Sequence, residues 1–475
     1  MTAIFVILGI AAVVWGAALV LRGSLLAGCV TYLILACCFG PFFLDLEVAG
    51  VTFSIDRLFL LGLVGAFVVQ WRLGKTVPTP MTGVDFVLIG LVATIAVSTF
   101  THDWRATSKD QVPVVAHLIN GYLIPLVLYF IARQAPIDER GAKVVLGGLV
   151  AFGVYLGVTG MLEAGQQWSL VFPRYIADEE VGTHFGRARG PMVQAVSYGF
   201  YLSTCLLAGW LLRDKIRNYS WQLVVLLSLP VMAAGIYFSK TRSVWLGLAT
   251  GMLLVLAVTL RGRTRVVVLG SMVLAGLVFG ATKLESVVSL QREGTVQDTR
   301  QSNSMRASFA YVSWQMFQER PLFGFGFGQF TRAKLPYLGD RSVNLQLEQI
   351  RDYVQHSTFL AILTELGLLG MILFLALLGG WTKAGWTLLR DGRAPPWARS
   401  MALLLLAVLL MSFWQMIVHE TTFTSLDNSL IFLIAALTVG MVSRSRLPER
   451  LTAPRSVTSA APLTGLPQHR SSQAT

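Results

Sequence analysis

Charge is scarce in this sequence: only 13% of its 475 residues are Asp, Glu, Lys or Arg, against 54% hydrophobic residues and a mean hydropathy of +0.63. A water-soluble domain of this length is excluded by that balance, and a polytopic membrane protein is implied. Cysteine is scarcer still. Cys29, Cys37, Cys38 and Cys205 all lie inside apolar runs, without the partner histidines or paired spacing that a zinc site needs. Although the formal net charge is +13, no basic helix or basic-aromatic patch of useful length lies outside the apolar runs, which excludes nucleic acid as a partner.

What the chain has instead is length of apolar run. About 20 predominantly apolar residues are needed to cross a hydrocarbon core roughly 30 Å thick. Candidate spans fall at 2–21, 24–44, 57–71, 84–100, 113–132, 144–163, 191–212, 221–239, 243–260, 266–282, 357–380, 400–418 and 426–443, so the expected fold is an all-α polytopic membrane protein of 12–13 transmembrane helices. The first run, TAIFVILGIAAVVWGAALV, has no basic leader and reads as a retained span. Basic connections alternate along the chain: Arg72 and Lys75, Arg133 to Lys143, Arg213 to Arg217, Arg261 to Arg265, Lys383 to Arg399, and the tail from Arg444. With those on the cytoplasmic face, that face carries 21 basic and 6 acidic residues and the other carries 17 and 19, which puts the N-terminus outside.

Four regions are therefore expected: a bundle over 1–282, a large external loop over 283–356, further spans over 357–443, and a disordered cytoplasmic tail over 444–475, rich in Ser, Thr, Pro and Ala. In the large loop, Phe309, Val312 and Met316 recur at helical spacing in RASFAYVSWQMF and predict an amphipathic helix.

On this topology YFSKTRSVWLG places Lys240 and Arg242 in a tight external hairpin, where the positive-inside bias gives no reason for cations. Snorkelling to lipid headgroups is the plain explanation; an anionic ligand is the other. Arg187 and Arg189 in HFGRARGPM and Arg306 at the start of the amphipathic helix are further external cations, and guanidinium forks converging on one pocket suit a diphosphate. The glycines of RPLFGFGFGQF lack the strand and helix of a dinucleotide site; Gly324, Gly326 and Gly328 fit a close backbone turn that could present N–H groups to an anion. His356 stands just before a span whose expected N-cap is Ser357, where the helix dipole would keep the imidazole neutral and fit to act as a base. Glu365, inside that span, is expected to hydrogen-bond another helix. The external face shows no D-x-D cluster, and Asp178, Glu179 and Glu180 read as a solvated loop, so no metal site is expected.

In order, RARGPM, FSKTRSVWLG, MRASFAYVSWQMFQERPLFGFGFGQF and HSTFLAILTELGLLG, over residues 185–370, resemble the bacterial O-antigen ligase and O-antigen polymerase superfamily of membrane glycosyltransferases. The family commonly has Asn after the histidine, where this chain has Ser357. The resemblance implies a GT-C-like fold in the bacterial inner membrane with an active site on the periplasmic face. It also implies inverting transfer, without a cofactor or metal, of a glycan from undecaprenyl diphosphate to an acceptor hydroxyl. By motif, Arg242 and Arg306 would bind the diphosphate leaving group and His356 would deprotonate the acceptor. Arg187, Arg189, Lys240 and the three glycines would be substrate-binding. The acceptor would be lipid A core in a ligase, another lipid-linked repeat in an O-antigen or exopolysaccharide polymerase, or a serine or threonine in a protein-glycosylating relative; ligase is the favoured reading. A lipid-glycan flippase or transporter is the alternative of a different class. Such proteins show internal repeats and polar residues at mid-membrane, whereas here the unusual polar residues gather on one external face.

Overall fold

In hydrocarbon every backbone N–H and C=O must be paired within the chain, and the long apolar runs meet that demand as helices. The computed structural model describes residues 23–43, 46–48, 51–105, 112–289 and 296–445. The expected first span and the tail from residue 446 lie outside the described residues.

The described helices are α1 (Leu25–Cys38), α2 (Ile55–Arg72), α3 (Gly83–Thr101), α4 (Val114–Gln134), α5 (Glu139–Ala164), α6 (Ala195–Arg213), α7 (Tyr219–Phe238), α8 (Arg242–Thr259), α9 (Gly262–Ser289), α10 (Val296–Glu319), α11 (Thr358–Arg390), α12 (Pro396–Val418) and α13 (Ser425–Ser445). Nine of these, α3 to α8 and α11 to α13, are long and apolar enough to cross a membrane, while α1, α2 and α9 occupy the places of three further expected spans. The protein is a helical, multi-pass membrane protein. A small antiparallel hairpin, β1 (Leu46–Val48) with β2 (Val51–Phe53), joins α1 to α2.

The centre of the bundle is α6, nearly every residue of which is buried, with α13 beside it. Close approach is bought by small residues: a Cβ at Gly157 of α5 would lie 2.8 Å from the Val231 carbonyl oxygen of α7. In α4 the ladder loosens into a π turn at Ile119–Leu123, and the Gly121 carbonyl accepts a hydrogen bond from Asn428 of α13 at 2.9 Å.

Arg133, counted above as a cytoplasmic loop charge, is instead wholly buried. It pairs with Asp85 at 2.7 Å and donates to Thr79 Oγ1 at 2.9 Å and to the Pro80 carbonyl at 2.7 Å. A buried cation persists only when its donors and charge are met in this way.

At one end of the bundle, α10 and the chain up to α11 form a second, smaller core. As its spacing predicts, α10 turns Phe309, Val312 and Met316 inward, each at most 1% exposed, against Phe330, Leu338, Leu347 and Ile350. This unit is fastened to the bundle at a break in α11. Gly367 adopts φ +63°, ψ −158°, a conformation essentially closed to other residues, and the helix restarts beyond it. The groups freed there are met by the glycine-rich loop: Phe325 and Gly326 N–H donate to the Thr364 and Glu365 carbonyls, and Leu368 N–H donates to Pro321 O, at 2.8–2.9 Å.

Candidate functional site

The hairpin that opened the question of external cations is built by its own hydroxyls. Ser239 Oγ donates to Ile236 O, Thr241 Oγ1 donates to Ser239 O, and Thr241 then flanks the start of α8 without a side-chain capping bond. Lys240 takes the left-handed conformation, φ +46°, that ends α7, and its side chain is exposed. Arg242 is the first residue of α8 and is half-buried. The RARG segment lies against this turn, with Ala188 N–H donating to Phe238 O at 3.0 Å, so Arg187 stands beside the hairpin.

Opposite the hairpin is His356. Its ring stacks on Phe309 of α10, centroids 4.8 Å apart and planes 18° from parallel, and its Nδ1 lies 2.8 Å from the Val354 carbonyl oxygen. A carbonyl only accepts, so Nδ1 carries the proton and the lone pair of neutral imidazole sits on Nε2. Burial, followed by the charges of Arg306 and Lys334, holds this imidazole below its ordinary value, against the pull of the Val354 and Gln355 contacts. The expected cap differs: Ser357 does flank α11, but its hydroxyl donates to Met416 O instead of capping the helix. Neutrality of His356 thus comes from burial and neighbouring cations.

Sequence reasoning passed over two residues that complete this region. Lys334 is fully buried and donates to the Ile350 carbonyl at 2.6 Å and to that of Tyr353, which fixes the chain leading to His356. Burial pulls its pKa down to about 8. The other is His419, in the short connection HETTFTS between α12 and α13. Its Nε2 lies 3.1 Å from Ser243 Oγ on α8. Its carbonyl accepts from Thr358 N–H at 3.2 Å and Thr358 Oγ1 at 2.9 Å, two residues past His356. Burial first, then the charges of Arg306, His184, His356 and Arg187, push its pKa down to about 3. His419 is therefore where the hairpin and the start of α11 meet, and it feels the charges of Arg306 and Arg187. The one available signal was a histidine in a polar connection between two apolar runs.

Beside it, Glu420 folds back on its own turn, Oε1 accepting from Thr422 N–H at 2.7 Å and from the Thr422 hydroxyl. Its Oε2 is buried without a hydrogen-bond partner among the described residues, and burial pushes the carboxyl up to about 8. Among the described residues no three His, Cys, Asp or Glu side chains are grouped so as to hold a metal ion.

Other expected site residues lie elsewhere. Arg189 is wholly buried and donates to the Val181 and Ile176 carbonyls at 2.6 and 3.0 Å, with its backbone N–H on Glu163 Oε2 at 3.1 Å. It fastens the 176–189 loop through these bonds. The N–H groups of the glycine run are also engaged within the protein: Gly324 on Arg320 O, Gly326 on Glu365 O, and Gly328 on Glu365 Oε2 at 2.9 Å. Of the three, only Gly328 N–H meets a carboxylate, that of Glu365, whose Oε1 takes Phe330 N–H at 3.1 Å. Glu365 thus binds a loop backbone and not another helix.

Residues 223–375 match the family model of O-antigen ligase. That match supports the O-antigen ligase and polymerase superfamily for this segment. The matched segment is about a third of the chain and takes in the hairpin, α10, the glycine loop, His356 and Glu365, and stops short of Arg187 and Arg189. The protein is a multi-pass membrane protein, and the match supports the O-antigen ligase type of membrane glycosyltransferase as its family. No curated protein matches it.

Proposed function

We propose that the protein transfers a glycan from an undecaprenyl-diphosphate donor to an acceptor hydroxyl on the extracytoplasmic face of the inner membrane, as an O-antigen ligase acting on lipid A core. The observation that carries this reading is that His419 joins the two candidate groups, its Nε2 on Ser243 Oγ one residue past Arg242 and its carbonyl on Thr358 two residues past His356. Arg242 and Arg306 bind the diphosphate and stabilise the negative charge that grows on it as the anomeric carbon–oxygen bond breaks. His356 Nε2 takes the proton of the acceptor hydroxyl as that oxygen attacks the opposite face of the sugar, which inverts its configuration. The arginines supply the countercharge that a metal would otherwise provide.

The test is transfer by purified protein in lipid nanodiscs from an undecaprenyl-diphosphate-linked glycan to lipid A core, without added metal. Transfer is expected to survive EDTA, to be lost in His356→Ala with donor binding retained, and to fail in Arg242→Ala through lost donor binding. Full activity of Arg242→Ala, or abolition by EDTA, overturns the mechanism. Elongation of the lipid-linked glycan without transfer to core would instead assign polymerisation. A transporter reading draws on one feature, the break in α11 at Gly367, but there the loop of residues 321–328 meets the freed groups.

A further inference from the structure

We propose that His419 is the positioning residue that locks the two halves of the reaction centre together, its side chain holding the diphosphate-binding hairpin and its carbonyl holding the segment that carries the base. The inference rests on the functional reading just given, and deepens it by assigning a residue outside every segment that carries the family resemblance. Three contacts support it. His419 Nε2 meets Ser243 Oγ at 3.1 Å, one residue past Arg242 in the first turn of α8. Its carbonyl receives both Thr358 N–H and Thr358 Oγ1, so the first turn of α11, and with it His356, is tied to the same residue. The turn that presents His419 is itself rigid: Thr421 N–H donates to Thr358 Oγ1 at 2.9 Å, and Glu420 clasps Thr422.

A histidine in this place has a physical logic. The charges of Arg306, His184, His356 and Arg187 all act on it, and an uncharged imidazole adds no repulsion to a pocket built to attract an anion. A lysine or arginine could hold Ser243 but would compete for the diphosphate. Serine and threonine would not reach.

The contacts separate into measurable parts. Ser243→Ala and His419→Ala release the hairpin and are expected to raise KM for the lipid-linked donor by about tenfold, the effect of one hydrogen bond, with a smaller change in kcat. The Ser243→Ala, His419→Ala double variant should be no worse than His419→Ala alone. His419→Gln places its terminal amide where Nε2 stood and should restore KM to within about threefold, whereas His419→Asn, which is too short, should not. Thr358→Val removes the hydroxyl bonds on the other side while the backbone N–H bond stays, and should lower kcat while leaving donor KM in place. Additive losses in the double variant, no rescue by glutamine, or equal effects on kcat and KM from both single sites overturn the proposal.

Hydrogen exchange gives a readout that needs no activity. His419→Ala should accelerate exchange of the amides at 241–245, and Ser243→Ala should reproduce that change at unaltered melting temperature. Unchanged exchange in both variants overturns the brace. If the wild-type protein transfers no glycan yet shows these exchange changes, the functional reading fails and the brace stands.

Discussion

His356 shows how a single side chain acquires its chemistry from its surroundings. Val354 fixes the tautomer, and burial with Arg306 and Lys334 keeps the ring uncharged below its ordinary 6.5. The base form should therefore persist below pH 6.5, so the acid limb of log kcat/KM is expected below that value, and Arg306→Gln should move the residual activity's limb upward. A limb at or above 6.5 in the wild type argues against His356 as the base. Because the folded value is depressed, this group's contribution to stability is present above 6.5 and lost as pH falls toward the folded value. Glu420 behaves in the opposite sense. Its folded value of about 8 exceeds the ordinary 4.5, so folding takes up a proton in that window and stability falls as pH rises to 8. Between about pH 7.5 and 8, where His356 and His419 are largely neutral folded or unfolded, Glu420→Gln should flatten the decline in melting temperature relative to wild type. Equal slopes would place the carboxyl's proton elsewhere. The order of cations and His356 was readable along the chain, whereas the burial of Arg189 and the meeting at His419 depend on contacts between segments distant in sequence.

At the scale of elements, α11 is where sequence pattern and structure part. LTELGLLG reads as part of one continuous span, Glu365 included, and nothing in its periodicity separates Gly367 from an ordinary helical glycine. The break becomes necessary only once residues 321–328 are laid beside it: a Cβ on Gly367 would lie 2.5 Å from the Leu322 carbonyl carbon, and one on Gly324 equally close to that of Glu365. Gly367→Ala is expected to cost at least about 1–3 kcal/mol from backbone strain, before the clash is counted, and to lower the melting temperature of the purified protein. Wild-type stability would mean that the helix can close over the site. Glu365→Gln tests the other side of the joint without changing shape. Gly328 and Phe330 donate to different carboxylate oxygens, so in the glutamine one of the two positions becomes N–H₂ and faces a backbone donor. Through Phe330, which packs on Phe309 beneath His356, the loosened loop should lower kcat by about tenfold and speed hydrogen exchange at 325–331. An unchanged rate would separate this joint from the chemistry.

For the whole molecule, apolar runs alone were enough to place the membrane helices, because lipid leaves a chain few other ways to pair its backbone. Charge was a less direct guide, since Arg133 belongs to a buried ion pair with Asp85 and only the remaining basic connections report orientation. Orientation nonetheless decides whether the site can meet a donor already carried across the membrane. Cys29, Cys37, Cys38 and Cys205 are all buried, so single exposed cysteines can be introduced and read against a quiet background. Arg341→Cys, on the loop that carries the site, should react with a membrane-impermeant maleimide in intact spheroplasts. Arg217→Cys, between α6 and α7, should react only after permeabilisation. The reverse pattern would turn Arg242, Arg306 and His356 to the cytoplasm. Transfer to lipid A core on the periplasmic face would then be ruled out, even if every contact within the site were as described.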